Sequence, residues 1–217
     1  HPNRSVVLAL DAIVPIVSQD APLTTISMQS LAQILSGEIV SWEALGGPDM
    51  DITVHIRDAG SGLAQSVQDG LLGTDTSPKT AQLRHHPDNA ALAAAVERDP
   101  FGIGFASFSE TGNAKPLVLT GGCGFQLRAT RSSIKTEDYP LTTPIFLYLP
   151  ARRLPALGRD FMRYVRSDAA QLVVRRAGFV DQAPELIPVG RQGDRLANAI
   201  LSADTASDLA DLRRMTG

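Results

Sequence analysis

Residues 6–17, Val-Val-Leu-Ala-Leu-Asp-Ala-Ile-Val-Pro-Ile-Val, constrain the fold of this chain more than any other stretch. Apolar side chains fill nearly every position. Neither the alternation of a one-sided strand nor the 3.6-residue stripe of a surface helix describes such a run. A strand covered on both faces does, and strands of that kind belong to α/β folds in which helices flank the sheet. Asp11 and Pro15 stand out within the run, and both are expected to interrupt the strand.

The rest of the chain alternates between the two periodicities. A helix is expected to start at Ser27, whose hydroxyl can accept an N–H bond while Ile26 and Leu31 pack as a hydrophobic staple. Leu31, Ile34 and Leu35 form its apolar face, and Gly37 ends it. Ile52, Val54 and Ile56 alternate as a strand, and Leu63, Val67 and Leu71 mark the helix after it. Residues 89–98 read as an Ala-rich helix, residues 101–106 and 115–120 as strands, and residues 145–149 as another strand. Leu157, Phe161 and Val165 give a further helical stripe, and a last helix spans about 167–177 with Gly178 at its end. Alternating strands and helices define an α/β class.

Between Ile56 and Leu63 lies the segment with the clearest chemistry: Arg57-Asp58-Ala59-Gly60-Ser61-Gly62-Leu63. It joins a strand to a helix start. The first N–H groups of a helix have no intrahelical acceptor and sit at the positive end of its dipole, which suits an anion. Ser61 adds a hydroxyl at the N-cap, and Gly60 and Gly62 let backbone approach a ligand closely. Arg57 is placed to present a planar, charged fork to an oxyanion. Asp58 is expected to orient Arg57 through a salt bridge. The plainer reading of the same residues is a Ser-capped helix beside a surface arginine.

Composition excludes several classes. A formal net charge of -3 and a pI near 5.8 give no sign of a nucleic-acid surface. No apolar run approaches ~20 residues, so no transmembrane helix is expected. No signal peptide is expected ahead of the first strand. Cys123 is the sole cysteine, so it is either a buried thiol or half of a bridge to another chain. A nucleophile elbow needs glycine two residues before and after its serine, where Ser61 has Ala59 and Leu63, which disfavours a serine hydrolase. Neither a dinucleotide-binding nor a phosphate-binding glycine loop of standard spacing occurs. His85-His86 read as a solvated turn rather than a metal site, since no third ligand is visible. Arg152-Arg153 and Arg175-Arg176 read as solvated helix faces, and Trp42, Phe101 and Phe105 as packing. No catalytic group, cofactor or metal is expected.

Several blocks in order resemble the phosphate-type periplasmic solute-binding proteins: Ala9-Leu10-Asp11-Ala12-Ile13, Leu31-Ala32-Gln33-Ile34-Leu35-Ser36-Gly37-Glu38-Ile39 with Trp42, and Arg57-Asp58-Ala59-Gly60-Ser61-Gly62. Gly102-Ile103-Gly104-Phe105, Tyr139-Pro140-Leu141-Thr142 and Gly178-Phe179-Val180 complete the set. The resemblance implies a periplasmic-binding-protein-like α/β fold, with one complete lobe plus part of a second joined by crossing strands. On that basis residues 1–184 form the family region, with 14–114 the complete lobe and 122–184 part of the second. Residues 185–217, apolar at Leu196, Ile200, Leu209 and Leu212, would be a helical connector. The bend at residues 121–124 would carry the chain between lobes.

The same resemblance implies capture of phosphate or a related oxyanion in the periplasm for the membrane permease of an ABC importer, with no enzymatic step. The ligand set would be Arg57, Ser61, Gly62, the Leu63 N–H and Gly60. Two features depart from the family. Leu63 stands where a hydroxyl-bearing Thr is usual, and leaving an acceptor unpaired in a dry site costs on the order of 1–3 kcal/mol. The family's first stretch, which builds much of one lobe, has no counterpart in this sequence. Apolar surface left by an incomplete lobe would favour self-association. The alternative is a structural or interaction module, linked to a cell-envelope-binding domain, that keeps the fold without ligand capture.

Overall fold

The computed structural model describes residues 4–73, 76–120, 126–150, 153–184, 189–190, 193 and 197. The apolar run forms one strand, β1, Arg4–Val17. Neither Asp11 nor Pro15 interrupts it; the irregularity falls between Val7 and Ala9 instead. Pro15 is tolerated because its missing N–H requires no ladder partner, while its carbonyl accepts from Leu117 N at 2.8 Å.

β1 serves two neighbourhoods. Its first part, Arg4 to Ala12, pairs antiparallel with β9, Thr142–Leu149. Its last part, Ile13 to Val17, pairs antiparallel with β5, Gly102–Ser107, and its end meets β6, Lys115–Pro116. Beyond β5 lie β3, Thr53–Arg57, and β4, Leu83–His86, both parallel to it in the order β4-β3-β5-β1-β6. The expected strand over 115–120 is split. Lys115–Pro116 joins this sheet, whereas β7, Val118–Thr120, pairs with β2, Thr25–Ser27, and β8, Gln126–Leu127, in a small second sheet.

Helices cover both faces of the main sheet, which is why β1 needs no polar side. The helices α1, Met28–Ser36, and α2, Gly62–Leu71, put Leu31, Ile34, Leu35 and Val67 into one cluster with Ile13, Val17, Val54, Ile56, Ile103 and Phe105. On the other face α3, Asn89–Arg98, brings Leu92, Ala93 and Val96 against Val14, Ile16 and Ala106. A Cβ on Gly104 would lie 2.5 Å from Val96 Cγ2, so only glycine lets α3 sit this close to β5. The Ser27 cap and the left-handed Gly37 at φ 80° stand as the sequence indicates.

Elements after β8 hold the other end of β1. Between α4, Arg131–Lys135, and β9, the fully buried Tyr139 donates its hydroxyl to Ile13 O at 3.1 Å. Ile13 N in turn donates to Leu141 O at 2.9 Å. Two further helices follow, α5, Ala156–Val165, and α6, Asp168–Arg176, then Gly178 at φ 91° and a bridge between Val180 and Leu10. The stripe Leu157, Phe161, Val165 is helical, but Leu157 and Phe161 are exposed at 80% and 50%, and Val165 alone of the three is buried. Residues 121–125, including Cys123, and most of the expected C-terminal helices lie outside the described residues.

Asp11 sits where β1 passes from one neighbourhood to the other. It is buried, accepts from Ser107 Oγ at 2.5 Å and from Ala12 N at 2.8 Å, and burial raises its carboxyl above the ordinary aspartate range. A carboxyl raised in the folded state contributes stability in its protonated form, and that contribution fades as pH rises through the folded value. Asp11→Asn, neutral and isosteric, should therefore unfold at a higher temperature than the parent at neutral pH. The gap should narrow as pH is lowered through the carboxylate range, as read by circular dichroism melts.

Candidate functional site

The carboxyl ends of the parallel strands β3, β4 and β5 share one edge of the sheet, and β1 runs out past that edge toward β9. Register shows this directly: Ser107, the last residue of β5, pairs with Ile13, while Ile103 pairs with Val17. Arg57 ends β3 at this edge, and Asp58–Ser61 turn the chain into α2.

Ser61 is the N-cap of α2, with φ -83° and ψ 146°, and its Oγ accepts from Ala64 N at 3.1 Å. Its backbone carbonyl accepts from Gln65 N at 3.1 Å, and its own N–H donates to Asp58 O at 2.8 Å. Of the first four helical N–H groups, two are thus satisfied, and geometry leaves those of Gly62 and Leu63 without an intrahelical acceptor. Gly60 and Gly62 are exposed, and no heavy atom would lie within 4 Å of a Cβ on either. The Leu63 side chain packs, partly buried, against the main core.

The arginine is held differently from the sequence expectation. No salt bridge to Asp58 is found; Asp58 is exposed and contributes its backbone. The guanidinium turns instead to the segment entering α3. Nε donates to His86 O at 3.2 Å, Nη1 to Asn89 Oδ1 at 2.5 Å and Nη2 to Pro87 O at 2.8 Å. Residues 86–89 lie alongside the guanidinium and supply its three acceptors, while Asp58 stays exposed. Three of the five N–H groups are used, which leaves one on each terminal nitrogen.

His85 and His86 are not a turn but the end of β4, where Arg57 pairs with His86 and Ile56 with His85. Their side chains therefore leave on opposite faces. His85 is exposed, with Nδ1 3.3 Å from Arg57 O. His86 is half-buried, and its Nε2 lies 2.9 Å from Nδ1 of the buried His55. His55 Nε2 reaches Asp99 Oδ2 at 3.0 Å. Among the described residues no group of three His, Cys, Asp or Glu side chains is arranged to hold a metal ion. His55, Asn89 and Asp99 carry no motif. The one signal for His55 is a polar residue between Val54 and Ile56 on the face Arg57 shares. Arg175, expected on a solvated face, is paired with the buried Asp181 at 2.9 Å, and Lys135 reaches the same carboxylate at 3.1 Å.

Helices on both faces of a mixed sheet, a capped helix start and an arginine at the carboxyl edge of the parallel strands make this an α/β protein with an anion-suited helix N-terminus at that edge. Residues 3–169 match the family described as a PBP superfamily domain, and the chain belongs to that family. It is 26% identical over 182 residues to the phosphate-binding protein PstS of Borreliella burgdorferi, covering 82% of this chain and 65% of that protein. It is 26% identical over 167 residues to the PstS of Bacillus subtilis, covering 76% of this chain and 53% of that protein. The chain thus spans 53–65% of the length of these two relatives. Among solved structures, a putative phosphate ABC transporter substrate-binding protein with bound phosphate from Clostridium perfringens superposes with a TM-score of 0.72 at 22% identity, covering 82% of this chain and 71% of that one. An ABC-type phosphate transport receptor from Vibrio cholerae gives 0.72 at 22%, covering 83% and 72%. These likenesses establish the fold.

The cap sets a measurable expectation. Ser61→Ala should lower stability by about 1 kcal/mol, and Ser61→Gly by only a few tenths, because glycine tolerates the cap conformation while alanine neither accepts the bond nor favours it. Urea unfolding of the two variants checks this.

Proposed function

We propose that the chain captures phosphate or a closely related tetrahedral oxyanion through Arg57, Ser61, Gly62, the Leu63 N–H and Gly60. In this reading residues 1–184 form the binding region, 14–114 as one lobe and 122–184 as part of the other. The protein would work in the periplasm, delivering its ligand to the permease of an ABC importer. The observation that carries the proposal is the start of α2: two N–H groups without acceptors, a capping hydroxyl that can still donate, and glycines that leave the approach open.

Arg57 supplies formal charge at the adjoining strand end. Its three hydrogen bonds to residues 86–89 fix the guanidinium before any ligand arrives, which lowers the ordering cost of binding. The names of the relatives, phosphate-binding proteins and phosphate transport receptors, support phosphate as the first ligand to test.

A second reading, a structural module that keeps the fold without ligand capture, is favoured by one observation. Leu63 gives its side chain to the core and offers only its backbone N–H, where the family resemblance calls for a hydroxyl. Isothermal titration of the full-length gene product with phosphate separates the two. Capture predicts saturable binding that Arg57→Ala weakens by about 10- to 100-fold, the equivalent of losing one or two charge-assisted hydrogen bonds. Equal affinities in parent and variant would remove Arg57 from the site, and absence of binding in both would favour the structural module.

A further inference from the structure

We infer that His86 is a positioning residue for Arg57, and that the row Asp99–His55–His86 links the charge state of the oxyanion half-site to a proton. The inference deepens the proposed function and rests on reading Arg57 as an anion ligand.

His86 touches Arg57 through its backbone and the row through its ring. Its carbonyl oxygen accepts from Arg57 Nε at 3.2 Å and from Asp58 N at 3.0 Å, and Asn89 Oδ1 and Pro87 O complete the cradle at the two terminal nitrogens. Its ring meets that of His55 with Nε2 and Nδ1 2.9 Å apart, at an interplanar angle of 21°. His55 in turn meets Asp99, whose other oxygen accepts from Phe101 N at 3.0 Å. A Cβ on Gly102 would lie 2.9 Å from both the Asp99 carboxyl and His55 Nε2, so glycine at that position makes room for the pair.

The carboxylate fixes the direction of the row. Asp99, ionised, can only accept, so His55 carries its proton on Nε2. In the tautomer with that proton on Nε2, His55 offers a lone pair on Nδ1, and His86 donates to it from Nε2. His86 Nδ1 is left as the nitrogen that can take up a further proton. Adding it breaks no hydrogen bond in the row: the imidazolium still donates from Nε2 to His55. The new charge sits on the register partner of Arg57.

The groups around His86 set where this happens. Burial, and then His55, push its protonation below the ordinary histidine value; Asp58 and Asp88 oppose that shift, while His85 adds to it. Asp58 comes from the β3–α2 turn, Asp88 from the cap of α3, His85 from its own strand and Asp99 from the far end of α3 through His55. Arg57 faces it from β3 through the shared carbonyl. Below that protonation step the half-site carries one more positive charge, so an anion of fixed charge should bind more tightly as pH falls.

The test follows the histidine Cε1–H and Arg57 Nε–H resonances of the chain across roughly pH 5 to 8 by NMR. It is paired with sulfate titrations of the full-length product at both ends of the range, sulfate remaining a dianion throughout. The Arg57 Nε–H signal should move with the His86 titration, and sulfate affinity should rise several-fold toward the acid end. Both pH effects should vanish in His86→Gln. Asp99→Asn, which removes the charge that directs the row, should lower the His86 midpoint. An Arg57 signal that stays fixed while His86 titrates would overturn the inference, as would a His86 midpoint unchanged by Asp99→Asn. Coupled Arg57 and His86 signals without sulfate or phosphate binding at any pH would support the positioning and count against the proposed ligand capture.

Discussion

The structure depends on one strand being buried on both faces while changing partners along its length. β1 gives its first residues to β9 and its last to β5 and β6. Where it changes partner, its backbone would be left with unmet donors and acceptors in a dry interior, and each would cost free energy comparable to a lost hydrogen bond. The fold fills those positions one by one. Val180 exchanges two bonds with Leu10, Phe108 N donates to Ala12 O, and Ile13 receives the Tyr139 hydroxyl and donates to Leu141 O. Asp11 ends up buried here because Ser107 and the Ala12 N–H offer it two donors.

The candidate site follows from the same arrangement. Antiparallel pairing of β1 with β5 places the carboxyl ends of β3, β4 and β5 at the edge past which β1 runs. That edge receives Arg57, the turn to Ser61 and the entry to α3. A helix dipole and two unsatisfied N–H groups meet a formal charge there. The guanidinium is held by neutral acceptors, two carbonyls and an amide oxygen, rather than by a carboxylate. That difference matters electrostatically: a carboxylate partner would cancel much of the positive potential that an anion needs, whereas neutral acceptors fix the geometry and leave the charge in place.

The legible parts of the fold were those set by local chemistry. The Ser27 cap with Gly37, the Ser61 turn and the helix over residues 89–98 all stand where period and capping place them. Errors arose where long-range pairing decided. Lys115 to Thr120 looks like one apolar strand, yet its two ends join different sheets. His85-His86 looks like a polar turn, yet pairing with β3 makes it a strand end and splits the two rings between faces. The stripe Leu157, Phe161, Val165 has helical spacing, but spacing alone cannot say whether anything lies opposite it, and most of it is exposed.

The sequence by itself determined the α/β class, the double-sided burial of β1 and the capped helix start after Arg57, because each is written in contiguous residues whose period or cap is a local property. Tertiary structure alone decided what Arg57 touches. Asp58 is its neighbour in sequence, but parallel pairing of β3 with β4 brings residues 86–89 alongside the guanidinium, and that pairing together with the β3–β5 register brings His55, His86 and Asp99 into one row. Those contacts span roughly thirty to forty-five residues of chain. No local pattern encodes them, since they exist only once strand register has been fixed by the core.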